Sequence, residues 1–350
     1  MRAADPPYPP PDATNAAHFA VVVGINRYPG FTDLSGPLDD AADFVDWLVS
    51  PGGGALPKEN VFEVPAPRER DVSLAVHYAR PNVPDVVDAV RSANLAVEAL
   101  TRADPAAWSR SRLYFFVAGH GMMPEHCDSV ALFTADASGD ELGHNINLRE
   151  YKLWYEHCGR FRDLIVFADC CRSLMIDAPS YGPPFTWCRN GRGGVRTVMG
   201  YGTQFGAQAL EGPGADGTRG YFTAALLNGL RRTGSTTYPT VRWGDLKGMI
   251  NIGLRGQRAE FVGDDDVEFG PPVSVGHRPD LTPVRIHFAD RTGERVDLLD
   301  GRLMPVGHWS PSDGEWRLTL PDGLYQLVRH GTREELRGFT VMGVDVDVRL

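Results

Sequence analysis

The chain has 350 residues, 42% of them hydrophobic and 23% charged, an ordinary globular balance that can bury a core and excludes a wholly disordered polymer. Its 35 basic and 45 acidic residues leave a formal charge of −10, which argues against a general binder of nucleic-acid phosphates. No apolar run approaches the roughly 18 residues a membrane span needs, so no membrane partner is expected. The five cysteines are an odd number without a CxxC pair. They match neither a disulfide framework nor a zinc ribbon, and the expected home is a reducing cytoplasm.

In chain order, residues 1–17 carry five prolines and no apolar stretch, so they read as a loose polyproline-like lead-in rather than a signal peptide. Short continuous apolar runs then recur at Phe19–Ile25, Leu113–Ala118, Leu164–Ala168 and Val195–Tyr201. They are rich in β-branched and aromatic residues and do not alternate, which predicts strands buried on both faces of a parallel sheet. Between and after them, helices are predicted at Asp39–Val49, Pro84–Arg102, Leu148–Cys158, Tyr221–Arg232 and Trp243–Leu254; the second opens on Pro84 and Asp85, proline in a first turn beside an acid. Alternating strands and helices give an α/β/α sandwich with a mostly parallel central sheet, expected over residues 18–275. From 282 to 350 the helical period disappears. Runs at Val284–Phe288, Trp316–Leu320, Tyr325–Arg329 and Gly338–Val348, split by Asp-Gly turns, predict a small all-β sandwich module.

The chemistry gathers at two strand ends. One run leads into Gly119-His120-Gly121, the other into Asp169-Cys170-Cys171-Arg172-Ser173. Ligands of open parallel sheets bind beyond the carboxyl ends of the strands. If these strands are neighbours, His120 shares an edge with a cysteine whose thiolate needs a nearby base. A buried structural cysteine and a plain glycine turn are the bland alternatives for each motif taken singly.

These residues resemble the caspase-like cysteine peptidases, and most closely the bacterial metacaspase type. The caspase signature Q-A-C-R-G has its histidine about 50 residues upstream; here His120 precedes Cys171 by 51 positions. Laid on that frame, the nucleophile falls on Cys171 and Cys170 takes the spacer position. Ala20–Asn26, Leu34–Ala41 and Gly220–Leu227 are similar to further metacaspase segments, so the likeness covers about residues 18–260 and leaves the β module outside. The resemblance implies acyl transfer by a Cys171–His120 dyad, with the oxyanion on the backbone N–H groups of Gly121 and Cys171. Leu34 stands where an aspartate-cutting caspase has an arginine. Arg/Lys-cutting relatives use carboxylates that fall on Asp169 and Asp40, although Asp39 could exchange roles with Asp40. Protein substrates with a basic P1 residue are therefore the expected partners. Ala118 replaces the serine metacaspases usually carry two residues before the histidine.

The Gly- and Pro-rich segment 173–194 contains Arg189 and Arg192 and runs up to Arg196. By resemblance it is a processing loop, cut by the enzyme itself or by an upstream activating protease, which makes the chain a zymogen in a bacterial stress, cell-death or antiviral defence pathway. A flexible surface loop is the plain alternative. A catalytically silent recognition module and a different P1 preference are the competing functions. No cofactor is required by the sequence. Calcium is conceivable at Asp264–Asp266 or at Asp136, Asp140 and Glu141, though no EF-hand pattern is present, and His126-Cys127 has no zinc-ligand spacing.

Overall fold

The computed structural model describes residues 14–69, 74–124, 130–175, 178–214, 217–231, 240–254, 256–271, 282–288, 295–300, 305–309, 314–320, 323–332, 334–341 and 346–350. Expectations for the proline-rich lead-in before residue 14, for His126 and Cys127, and for Arg232 lie outside these residues. Two compact units are distinguished, one holding the described residues up to 271 and the other those from 282 onward.

The first unit is built as β1 (His18–Gly24), α1 (Pro37–Val49), β2 (Val61–Val64), α2 (Val83–Ala103), β3 (Arg112–Gly119), β4 (Gly121–Pro124), β5 (Ala131–Phe133), β6 (Asn145–Asn147), α3 (Leu148–Cys158), β7 (Asp163–Cys170), β8 (Leu174–Met175), β9 (Arg196–Tyr201), β10 (Glu211–Gly214), β11 (Gly217–Gly220), α4 (Tyr221–Leu230), β12 (Val241–Arg242), α5 (Trp243–Gly253), β13 (Glu260–Gly263) and β14 (Glu268–Phe269). Its central sheet runs β2-β1-β3-β7-β9-β13, parallel except for the β9–β13 pair.

Every residue of β3 and β7 is buried, as the unalternating runs predict. Adjacent residues point to opposite faces, so each run feeds two cores. Phe115, Val117, Leu164 and Val166 pack with residues of α2 and α3. Phe116, Ala118, Ile165 and Phe167 pack with α1, α4 and α5, where Phe44 stacks on Phe116 at 4.6 Å. The result is the α/β/α sandwich expected from the sequence. Local signals fix the helix ends: Asn82 and Asp85 form a reciprocal capping box on α2, and Gly159 closes α3 at φ 59°.

At the amino ends of the strands, Asp163 binds Arg112 at 2.7 Å and Arg196 at 2.8 Å. Arg196 is thus the first residue of β9, held in a buried ion-pair cluster. The sequence placed Arg196 both in the predicted strand and at the end of the processing loop; the structure puts it in the strand.

The second unit contains β15 (Thr282–His287), β16 (Val296–Asp300), β17 (Pro305–Trp309), β18 (Glu315–Leu320), β19 (Gly323–Arg329), β20 (Glu335–Val341) and β21 (Val346–Arg349). They form sheets β18-β15-β21 and β17-β16-β19-β20. One core joins the two sheets: Ile286, Val296, Leu298, Leu327, Val341 and Val348 pack together, and Phe288 stacks on Trp309 at 3.8 Å. The sequence pattern missed β16 and β17 and ran β20 and β21 together as one strand.

Candidate active site

β3 and β7 are parallel neighbours whose register pairs Ala118 with Asp169 and Gly119 with Cys170. His120 and Cys171 are therefore the next residue on each strand, side by side at the carboxyl edge. Gly119 makes the exit possible: its φ of +154° disfavours a side chain, and a Cβ there would lie 2.4 Å from the Tyr28 hydroxyl. Gly121 is equally constrained, since a Cβ on it would come 2.6 Å from Cys170 Cβ and 2.8 Å from the Cys171 carbonyl oxygen.

The His120 ring is fixed from three sides. Tyr28 lies edge-on at 4.7 Å and Phe31 at 5.9 Å. Nε2 lies 2.7 Å from the Thr32 carbonyl oxygen. A carbonyl only accepts, so Nε2 carries the hydrogen and Nδ1 of the neutral ring is left as the proton acceptor. The backbone N–H of His120 donates to the Tyr28 hydroxyl at 3.1 Å, which in turn donates to the Phe133 carbonyl at 3.2 Å.

The two adjacent thiols have different surroundings. Cys170 is 1% exposed and belongs to the core; burial, then the Asp169 and Cys171 charges, push its thiol well up. Cys171 is half-buried and accepts the Ala209 N–H at 3.3 Å. Burial pushes it up too, with Asp169 adding to that rise and the Ala209 donor opposing it. Arg172 locks the following turn: its N–H donates to the Ala207 carbonyl at 2.9 Å and its carbonyl accepts from Gly206 at 3.1 Å.

Behind the thiol, two carboxylates converge. Asp169 Oδ2 accepts from the Thr223 N–H at 3.0 Å and its hydroxyl at 2.8 Å. Asp40 is 1% exposed; its Oδ2 accepts the Gly220 N–H at 2.9 Å, while its buried Oδ1 has no hydrogen-bond partner. Both carboxylates close on Gly220, where a Cβ would stand 2.1 Å from Asp169 Oδ2 and 2.9 Å from Asp40 Oδ2. Burial and the Asp169 charge raise Asp40, and burial raises Asp169. Two buried acids thus meet at Gly220, and one Asp40 oxygen has no hydrogen-bond partner. Asp39 stands outside this arrangement: it pairs with Arg68 at 2.9 Å and Arg219 at 3.3 Å on the outer face of α1.

Several members were invisible in the sequence. Thr32 contributes only a carbonyl, Gly220 only an N–H and its missing Cβ. Glu211, which accepts from the Gly36 N–H at 3.0 Å and whose charge helps raise Asp169, sits on a hairpin with no motif. Thr223 could have been found, since it lies in the quoted Gly220–Leu227 segment.

Arg189 and Arg192 are exposed, in a segment laid on α3. There Phe185 packs on Trp154 at 5.1 Å, and Arg192 stacks over Trp108 at 5.6 Å. Three of the candidate calcium acids are paired: Asp136 with Thr134 and His144, Asp265 with Lys247, Asp266 with Arg196. Among the described residues no helix is long and apolar enough to cross a membrane.

No family model matches the chain. A curated protein of a Desulfuromonadales bacterium, named "Probable protease", is 28% identical over 234 residues, covering 62% of this chain and 26% of that protein. The chain thus spans about a quarter of that relative's length. Among solved structures, caspase-1 from Spodoptera frugiperda aligns over 72% of this chain and 90% of its own with a TM-score of 0.42 and 13% identity.

Proposed function

We propose that the chain is a caspase-like cysteine endopeptidase that cleaves after arginine or lysine. The observation that carries this reading is the buried pair Asp40 and Asp169, with one unpartnered oxygen, Asp169 standing two residues before a half-buried thiol that shares its sheet edge with a pre-oriented imidazole. The bacterial relative named as a protease supports the peptidase part.

In this reading a basic P1 side chain enters beside Gly220, and its charge is matched by both carboxylates through charge-assisted bonds. That places the scissile carbonyl at Cys171. His120 Nδ1 takes the thiol proton, with Nε2–H held on Thr32, and the sulfur adds to the carbonyl carbon. The oxyanion rests on the backbone N–H groups of Gly121 and Cys171. As the C–N bond breaks, His120 returns the proton to the leaving amine, and water then hydrolyses the thioester. The substrate's own cation has a second effect. It offsets the Asp169 charge that opposes thiolate formation, so the nucleophile is easier to ionise when a basic P1 is bound. The Ala209 N–H on the Cys171 sulfur also favours the thiolate. The zymogen state, a protease that relieves it and the stress, cell-death or defence setting rest on the family resemblance.

A panel of fluorogenic peptides differing only at P1 tests this. Cleavage after Arg and Lys, lost by at least about 10³-fold in Cys171→Ala and kept in Cys170→Ser, is the expected result. Activity that survives Cys171→Ala, or a preference for acidic or apolar P1, overturns it.

A further inference from the structure

Two thiols outside the candidate active site face each other. Cys158 ends α3 and is 5% exposed; Cys188, half-buried, lies in the segment that crosses it. The Cys188 N–H donates to Cys158 Sγ at 3.2 Å, which brings the two residues into direct contact. The Cys188 carbonyl accepts from His157 Nε2 at 2.8 Å, Trp154 Nε1 donates to the Thr186 carbonyl at 3.3 Å, and Trp187 lies edge-on to His157 at 5.1 Å. The backbone on both sides of the sulfurs is therefore already docked. Residues 189–194, starting at Arg189 immediately after the cysteine, are all exposed.

We propose that Cys158 and Cys188 form a reversible disulfide that fastens this segment to α3 and shields the exposed arginines behind it from proteolysis. The oxidant is a peroxide. The more accessible Cys188 sulfur attacks a peroxide oxygen; the O–O bond breaks, giving Cys188 sulfenic acid and, from hydrogen peroxide, water. Cys158 sulfur then attacks Cys188 sulfur, the S–O bond breaks, and the hydroxyl leaves with the Cys158 proton as a second water. Two electrons pass from the sulfurs to the peroxide, and a thiol reductant reverses the bond by exchange. Burial pushes the Cys158 thiol up to about 11, so it waits protonated as the resolving partner while Cys188 meets the oxidant.

The shielding follows from what a protease requires. Its cleft takes several residues of locally opened chain, and a covalent anchor at the residue before Arg189 makes that opening rarer. None of this depends on the chain's own peptidase activity, and the test uses Cys171→Ala to keep the two apart. After brief hydrogen peroxide, blocking of remaining thiols and non-reducing digestion, mass spectrometry should find one cross-linked peptide joining Cys158 to Cys188. It should be absent in Cys188→Ser, which keeps the backbone donor. Trace trypsin should cut after Arg189 and Arg192 roughly tenfold more slowly in the oxidised protein, and dithiothreitol should restore the rate. Both thiols remaining alkylatable, Cys188 passing to sulfinic acid without a cross-link, or a cross-link that leaves the tryptic rate unchanged would each overturn the proposal.

Discussion

Asp40 holds its proton to a higher pH than an ordinary aspartate does. Burial and then the Asp169 charge push its carboxyl up to about 8, against relief from the Gly220 N–H and Arg219; burial pushes Asp169 up to about 6 despite its Thr223 donors. An unfolded aspartate titrates near 3.9, so the folded state holds these protons more tightly. Below about pH 4 both states are protonated and the pair costs nothing. As pH rises from there toward 8, the folded state loses stability. We expect Asp40→Asn to raise the melting temperature at pH 8 by the equivalent of about 1–2 kcal/mol, to leave it unchanged at pH 4, and to abolish cleavage after basic residues. Melting scans at the two pH values check this; an Asn variant less stable than wild type at pH 8 contradicts a strained acidic pair. Binding has the same origin and the opposite sign. A guanidinium favours the ionised pair, so benzamidine affinity for Cys171→Ala should climb between pH 6 and 8, read by calorimetry as proton release that varies with buffer.

At the scale of elements, the hairpin β10–β11 ends against the two buried carboxylates. Its last residue, Gly220, reaches both carboxylates because it has no side chain. Its φ of −66° suits alanine, so Gly220→Ala should fold. The added methyl displaces Asp169 from Thr223, and kcat/KM for an arginine substrate should fall about 100-fold, or about 2.7 kcal/mol, with an unchanged circular-dichroism spectrum. Activity within twofold of wild type would mean that the substrate cation sits elsewhere. The strands bearing the chemistry were the legible part of the sequence. Buried parallel strands announce themselves as unbroken runs, and their ends, Gly119-His120 and Asp169-Cys170-Cys171, could be read directly. Leu148–Cys158 came out with both ends right, fixed by Asn147 and Gly159. The hairpin was illegible: Glu211–Gly220 has neither alternation nor apolar weight, and its role is made of backbone groups. Asp39 and Asp40 could not be told apart by spacing, because one rotation step along α1 decides which acid turns inward.

Across the whole molecule, the two units have separate cores, and each should melt as its own cooperative transition. Leu327 is fully buried in the second unit. Leu327→Ala should weaken the transition of that unit by about 3 kcal/mol and leave the other where it was in a calorimetric scan; a single transition that shifts as one would mean the units unfold together. The sequence showed the change of texture near residue 280 but not the full strand count beyond it, since Val296–Asp300 holds two aspartates and Pro305–Trp309 a proline, a glycine and a histidine, so neither reads as an apolar run. The buried acidic pair is also assembled late in each molecule's making. The Gly220 donor lies 180 residues from Asp40, and Thr223 lies 54 from Asp169. A chain made from its amino end therefore possesses the histidine and the thiol before it possesses the donors that tame the two acids. The buried acidic pair can therefore be completed only after residue 223 has been made, so a chain that stops short of the β10–β11 hairpin lacks the arrangement altogether.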